Sequence, residues 1–591
     1  MKNIKSKDII KNIIINKYSN KNIIYIIDEL LRRLSNLLAI TGSIFAIFVL
    51  LMQIRRIDTY NFYIANYEKI INIITICFIF ILLDQIRIAP RRLYIIVPII
   101  QILGLLLVNF FSKKYYDIDS SRIIWVIVGS ILFFLIIVIN WLRLSYSKFT
   151  LYQLIIASFV FVITLGSLLL YLPLSTVKGN IHFIDALFTA TSAVCVTGLT
   201  VIDISKELTL FGRIVLIILI QIGGLGIMSI SAIVLLFSVS KGSVQDRIRT
   251  LEMFNTQNKN IIRSTIKVIF LATFIIEFAG AISLFTVFKN DSYAKLGEKI
   301  FSSLFHSISS FCSAGFSLYE NSMHRFSNNI TITTTIGLLI ILGGIGYPVL
   351  LTVFFAIKNK IMRKKYIIDT QTSIVLFTTF ILLLFGFLFI FFNEYNGALN
   401  GLSLREKILI SAFQSISPRT GGYETMDYNS MNSVTIGTVI FLMFVGASPS
   451  GTGGGVKTTT LFVFVASIIT AITNRPFIVV RGRKIKESAV NKSVAIFTLA
   501  MAISSFSALL IFYLDGHKTM MPVLFEAVSA LSTTGLSLGI TPSLSIWSKI
   551  IVMILMFIGR VGYLTLFMSV GSIDRSRYGL IDLPTGEVTI G

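Results

Sequence analysis

Four stretches of the chain share one pattern: FTATSAVCVTGL at Phe188–Leu199, FHSISSFCSAGF at Phe305–Phe316, FQSISPRTGGY at Phe413–Tyr423 and FEAVSALSTTGL at Phe525–Leu536. Each opens on Phe, runs through small residues as a helix would, and ends in a glycine: Gly198, Gly315, Gly422 or Gly535. A single glycine of this kind is an ordinary helix C-cap. Four in equivalent positions, nearly evenly spaced and each flanked by two long apolar segments, mark a four-fold internal repeat.

The composition sets the environment of these repeats. Of 591 residues, 55% are hydrophobic and only 14% charged, and the mean hydropathy is +0.84. Such a chain is a polytopic membrane protein, with room for about a dozen crossings of roughly 20 residues each. The net charge of +24 does not form a nucleic-acid-binding stripe, because the basic residues are scattered among loops. Segments 1–36, 85–92, 143–148, 241–267, 358–366, 474–492 and 572–591 hold most of the Lys and Arg, which places them and both termini in the cytosol, with the chain in the cell membrane.

The fold class expected is all-α: four pseudo-symmetric helix–pore loop–helix repeats around one pore, preceded by a four-span block. The boundaries are a cytosolic tail at 1–36, the four-span block at 37–148, repeats at 149–240, 260–358, 370–474 and 490–572, and a cytosolic tail at 573–591. The helix pairs fall near 149–173 with 208–239, 261–288 with 330–357, 371–393 with 432–473, and 491–514 with 545–571. Arg87, Arg91 and Arg92 beside Pro90 read as a topology anchor, since a voltage sensor spaces its arginines through an apolar helix.

The segments between paired helices are too short to cross a bilayer, and non-helical backbone at that depth must line water or be buried in protein. Half-helices entering from outside turn their carbonyl ends toward the membrane centre and favour a cation there. The turn into glycine then lets backbone carbonyls face the axis. The filter residues are Cys195, Val196, Thr197 and Gly198; Cys312, Ser313, Ala314 and Gly315; Arg419, Thr420, Gly421 and Gly422; and Ser532, Thr533, Thr534 and Gly535. Cys195 and Cys312 serve as packing residues, and the three cysteines and four histidines supply neither a disulfide framework nor a metal cluster. The distant alternative is an unrelated membrane enzyme or solute carrier whose Gly-rich repeats only pack helices; an enzyme should display clustered His, Asp or Cys at membrane depth, and this sequence lacks such a cluster.

The returning segment of the third repeat is about twice the length of a crossing and must be broken. The break, GASPSGTGGGVKTTT at 446–460, is not a phosphate-binding loop: Val456 separates the last glycine from Lys457, and no strand precedes it. It reads as the interruption of a discontinuous helix. Arg560, within IVMILMFIGRVGYLTL, is a cation at membrane depth, where an unpaired charge costs at least about 2.5–3.5 kcal/mol.

The stretches SAVCVTGL (192–199), SPRTGGY (417–423), GASPSGTGGGVKTTT (446–460) and GRVGYLTL (559–566) resemble the Trk/Ktr/HKT superfamily of potassium transporters, most closely the membrane subunits of the bacterial Trk and Ktr systems. The resemblance covers about residues 149–572. It implies inward conduction of potassium, and glycine rather than serine at position 198 implies potassium over sodium, with a sodium-selective or sodium-coupled transporter as the rival. It also implies a gating loop below the filter, with Gly446, Ala447, Ser448, Gly451, Thr452, Gly453, Gly454, Gly455 and Lys457, and with Arg560 beside it. Similar subunits are regulated by a separate soluble nucleotide-binding ring, so a homodimer with such a partner is expected, and no cofactor within this chain.

Two features depart from that family. The third repeat has one residue fewer between its Phe and its Gly, with Pro418 in its half-helix, and Arg419 there is expected to brace the filter from behind. The four-span block exceeds what the common bacterial subunits carry. Finally, Asp203, Glu320 and Asp427 share one register beyond their glycines, which places three carboxylates at the outer mouth to focus cations.

Overall fold

A computed structural model describes residues 151–179, 181–238, 259–288, 295–363, 368–563, 565 and 566. The expected tails at 1–36 and 573–591 and the four-span block at 37–148 lie outside the described residues.

The described chain is almost wholly helical. Helix α1 is Leu151–Tyr171, α2 Phe183–Val194, α3 the single turn Ile204–Glu207 and α4 Leu210–Ser238. Next come α5 Lys259–Phe288, α6 Leu296–Phe311, α7 Ile330–Ile345 and α8 Tyr347–Ile361. They are followed by α9 Thr370–Glu394, α10 Leu404–Ile416, α11 Ser433–Phe444 and α12 Thr458–Ile472. A two-stranded antiparallel ribbon, β1 Val479–Val480 and β2 Arg483–Lys484, precedes α13 Glu487–Leu514, α14 Met520–Ser532 and α15 Ile546–Val561.

Local chemistry sets several of these starts. Ser403 and Glu406 form a reciprocal capping box at α10, Asn329 caps α7 through Ile332 N, and Ser545 caps α15 through Ser548 N. Among the described residues, Ile269–Phe288, Thr370–Glu394 and Glu487–Leu514 are long and apolar enough to cross a membrane, as are α7 and α8 if taken together. By contrast α14, with 13 residues, is about 20 Å long, short of a hydrocarbon core of roughly 30 Å.

The short helices α2, α6, α10 and α14 each pack on the long helix before them and on the returning helix of the preceding repeat: α2 on α15, α6 on α4, α10 on α7 and α14 on α11. The contacts therefore close on themselves. The phenylalanine that opens each motif is the buried anchor of its short helix, with Phe188, Phe305 and Phe525 at 0% exposure and Phe413 at 2%. The Lys549 ammonium of α15 donates to the Asp185 carboxylate of α2 at 2.8 Å, tying the last of these helices to the first short one.

The returning helices depart from the expected continuous spans. The break in the third falls between Phe444 and Thr458, but α4 also kinks at Gly226, and α7 turns into α8 by 105°. Helix α15 stops at Gly562. Gly226, Gly346 and Gly562 hold φ of 55°, 95° and 92°, values that only glycine adopts freely. At Gly346 crowding adds to the requirement, since a Cβ there would lie 2.5 Å from the Pro449 carbonyl oxygen.

Candidate functional site

The C-terminal ends of α2, α6, α10 and α14 converge. A Cβ built on Gly198 would lie 2.4 Å from the Ala314 carbonyl oxygen, and one on Gly315 2.7 Å from the Gly422 Cα. One on Gly422 would meet the Thr534 oxygen at 2.6 Å, and one on Gly535 the Thr197 oxygen at 2.0 Å. The four glycines thus neighbour one another in chain order, and the last neighbours the first. No side chain fits at any of them without moving backbone.

The backbone leading to each glycine repeats as well. Two residues before it stands a non-glycine in the left-handed region: Val196 (φ 56°), Ser313 (61°), Thr420 (66°) and Thr533 (54°). Such a conformation costs on the order of 1–3 kcal/mol and is rarest for β-branched residues such as Val196, Thr420 and Thr533. The same strain recurs in all four turns.

A serine holds each turn in place. The Ser192 Oγ accepts from Gly198 N at 3.1 Å and the Ser529 Oγ from Gly535 N at 3.1 Å. The Ser309 Oγ donates to the Phe316 oxygen at 3.0 Å, and Ser417 donates to that of Tyr423. The serine carbonyls accept from Thr197 N (2.8 Å), Ala314 N (2.7 Å) and Thr534 N (2.9 Å), and in the shorter third repeat from Gly421 N and Gly422 N. These serines were not among the candidates, although each stands at the same place in its motif: FTATS, FHSIS, FQSIS and FEAVS.

Cys195 and Cys312 are free, buried thiols. Arg419 is buried behind the third turn; its guanidinium donates to the carbonyls of Thr379 and Gly446, each at 3.3 Å, and so ties that turn to the start of the 446–457 segment.

That segment packs directly against the second, third and fourth turns. The Thr533 hydroxyl accepts from Gly454 N at 2.9 Å, and Ser313 and Thr452 join their hydroxyls at 2.9 Å. A Cβ on Gly453 would lie 2.1 Å from the Thr420 hydroxyl, so the glycine run is what lets the loop come this close. Internally, Ala447 N donates to the Gly454 oxygen at 3.2 Å, the Ser448 and Thr458 hydroxyls meet at 2.9 Å, and Lys457 donates to the Gly453 oxygen at 2.7 Å. The α7–α8 bend holds the loop from the side: Ser448 N donates to the Gly344 oxygen (2.9 Å), Thr452 N to that of Gly343 (3.0 Å) and Tyr347 N to that of Ser450 (3.3 Å). A Cβ on Gly451 would crowd the Gly344 oxygen at 2.7 Å, whereas Gly446 and Gly455 stack on each other across the loop. Arg560, 7% exposed, donates to the carbonyls of Thr452 and of Gly223. Backbone oxygens thus engage both terminal nitrogens of this buried cation, while its Nε has no hydrogen-bond partner among the described residues.

At the opposite end of the turns the three carboxylates are engaged. Asp203 caps α3 through Ser205 N at 2.9 Å, and Asp427 accepts from Asn429 N at 2.9 Å. Lys206, absent from the expectation, donates to Glu320 and lies 4.0 Å from Asp203; the Glu320 hydrogen bond raises the pKa of its ammonium. The structure therefore brings Asp203 and Glu320 together on one lysine, with Asp427 in a separate cap.

The family model described as TrkH, cation transport protein, matches residues 126–573. The chain is 35% identical over 456 residues to the Ktr system potassium uptake protein B of Bacillus subtilis, covering 77% of this chain and 98% of that protein. It is 34% identical over 427 residues to the potassium/sodium uptake protein NtpJ of Enterococcus hirae, covering 71% and 92%. Among solved structures, the potassium transporter TrkH of Vibrio parahaemolyticus superposes with a TM-score of 0.57 at 17% identity, covering 85% of this chain and 98% of that one. Apolar helices, converging strained turns and these likenesses define a membrane-embedded cation transporter, not an enzyme. The chain belongs to the TrkH cation transport protein family.

Proposed function

We propose that this protein takes up potassium across the cytoplasmic membrane through a filter of backbone carbonyls, built by four pseudo-symmetric repeats around one pore. The observation that carries the reading is the closed succession Gly198, Gly315, Gly422, Gly535 and back to Gly198, each preceded by a left-handed residue. Carbonyls in that arrangement can replace the hydration shell of a monovalent cation without a carboxylate in the filter. The short helices direct their negative ends at the same point. The names of the related potassium uptake proteins favour potassium, and a sodium-conducting variant is the second reading because one relative is named for both ions.

The 446–457 loop is the gate, held against the filter by Thr452, Gly453 and Gly454 and from behind by Arg560. The protein works as a homodimer under a cytosolic nucleotide-binding subunit, with both termini in the cytosol and no cofactor of its own. The test is ion flux into proteoliposomes holding the purified protein. Potassium or rubidium entry in clear preference to sodium is expected; equal or greater sodium entry would replace the first reading by the second.

A further inference from the structure

Helix α8 leaves α7 at 105°, so if α7 crosses the membrane α8 runs near its plane. Beyond its first turn it is largely uncovered: Phe354, Ile357 and Ile361 are 61%, 55% and 77% exposed, and their spacing puts them on one face. Lys358 and Lys360 occupy its last turn, and Arg363 follows. A helix with an apolar stripe and a cationic end matches the boundary between acyl chains and anionic headgroups, where long basic side chains keep their charge at the phosphates. Its first residue belongs to the gate's support, since Tyr347 N donates to the Ser450 oxygen.

We propose that α8 is a binding surface for anionic phospholipid of the inner leaflet, and that this lipid steadies the 446–457 loop through the α7–α8 bend. The argument for this occupant is charge complementarity: Lys358, Lys360 and Arg363 cluster at one end of an apolar stripe, and α8 carries no acidic residue. The link to the gate rests on the transport reading; the lipid site does not.

The test uses the full-length protein in phosphatidylcholine vesicles containing a photoactivatable phosphatidylglycerol, with labelled peptides mapped by mass spectrometry. Labelling of 354–363 is expected, and Lys358→Gln/Lys360→Gln/Arg363→Gln should reduce it by about tenfold or more. Lys484→Gln, a charge removed from the exposed β2 strand, should leave it unchanged. Rubidium uptake should rise with the phosphatidylglycerol fraction in the parent and stay flat in the triple variant. Labelling that misses α8, or that the triple variant retains, overturns the lipid site. So does photocrosslinking of α8 to a second copy or to a soluble protein in place of lipid. Labelling as expected with rubidium uptake equally lipid-dependent in parent and triple variant overturns the link to the gate. Labelling as expected with no cation flux under any condition keeps the lipid site and overturns the transport reading.

Discussion

The guanidinium of Arg560, near the end of α15, donates to the backbone carbonyl of Thr452 in the loop of the third repeat. The same group also donates to the carbonyl of Gly223 in α4, so one cation pins the loop to helices of the first and last repeats. Arg560→Ala should free the loop. The expected result is a several-fold higher basal potassium flux with unchanged ion preference, measured in proteoliposomes without any regulatory subunit. Unaltered basal flux with normal assembly would mean that the loop does not obstruct the path.

The serines at the foot of the turns hold the backbone at or next to each glycine. Ser192→Ala and Ser529→Ala each remove an acceptor from a filter amide, at a cost of about 1–3 kcal/mol for the group left unpaired. Both variants should reach the membrane, lose apparent potassium affinity and discriminate less against sodium. Competition uptake at fixed potassium and rising sodium reads this directly.

Asp185 and Lys549 join the first and last repeats through a pair that is 18% and 13% exposed. Lys549→Ala leaves the Asp185 carboxylate without that partner and should lower stability by about 1–3 kcal/mol, seen as a lower melting temperature in detergent. Asp185→Asn/Lys549→Gln together should cost less than the sum of the single changes.

The outer mouth proposed at Asp203, Glu320 and Asp427 should respond to charge and to pH. Lys206→Gln removes the cation between Asp203 and Glu320 and should lower the potassium concentration for half-maximal uptake. Asp203→Asn/Glu320→Gln/Asp427→Asn should raise it, chiefly at low ionic strength, because the Debye length is about 8 Å at physiological salt. Glu424 stands two residues beyond Gly422, 3.9 Å from the His324 ring; burial raises its pKa above the ordinary carboxylate range, against a lowering by His324. As external pH falls, Glu424 is therefore neutralised before an ordinary glutamate would be, and uptake at limiting potassium should drop. Glu424→Gln should weaken uptake at neutral pH and flatten this dependence, read from uptake curves across external pH.

The four motifs and their glycines were legible in the sequence because the left-handed turn needs glycine wherever the repeat recurs. The loop at 446–460 was legible for a similar reason: a segment twice as long as a crossing must break, and its glycines marked where. The bends at Gly226 and Gly346 were not, since each depends on a contact distant in sequence: the Arg560 guanidinium approaches the first and the Pro449 carbonyl the second. The pairing of Lys206 with Glu320 joins residues 114 apart, which register alone could not supply. The serines of the turns stand in the repeated motif only as members of its run of small residues, because the partner of a serine hydroxyl is set by how the turn folds back on the helix.

The most direct test of the filter is ion preference in Gly315→Ser and Gly198→Asp, assayed as potassium and sodium uptake in a transport-deficient host with membrane levels of the protein checked in parallel. A Cβ at these positions would lie 2.7 Å from the Gly422 Cα and 2.4 Å from the Ala314 oxygen, so the ring of carbonyls must distort. Both variants should reach the membrane with potassium uptake impaired or with sodium admitted. Potassium affinity and potassium-to-sodium preference equal to the parent's in both variants would contradict the assignment of these glycines to the ion path.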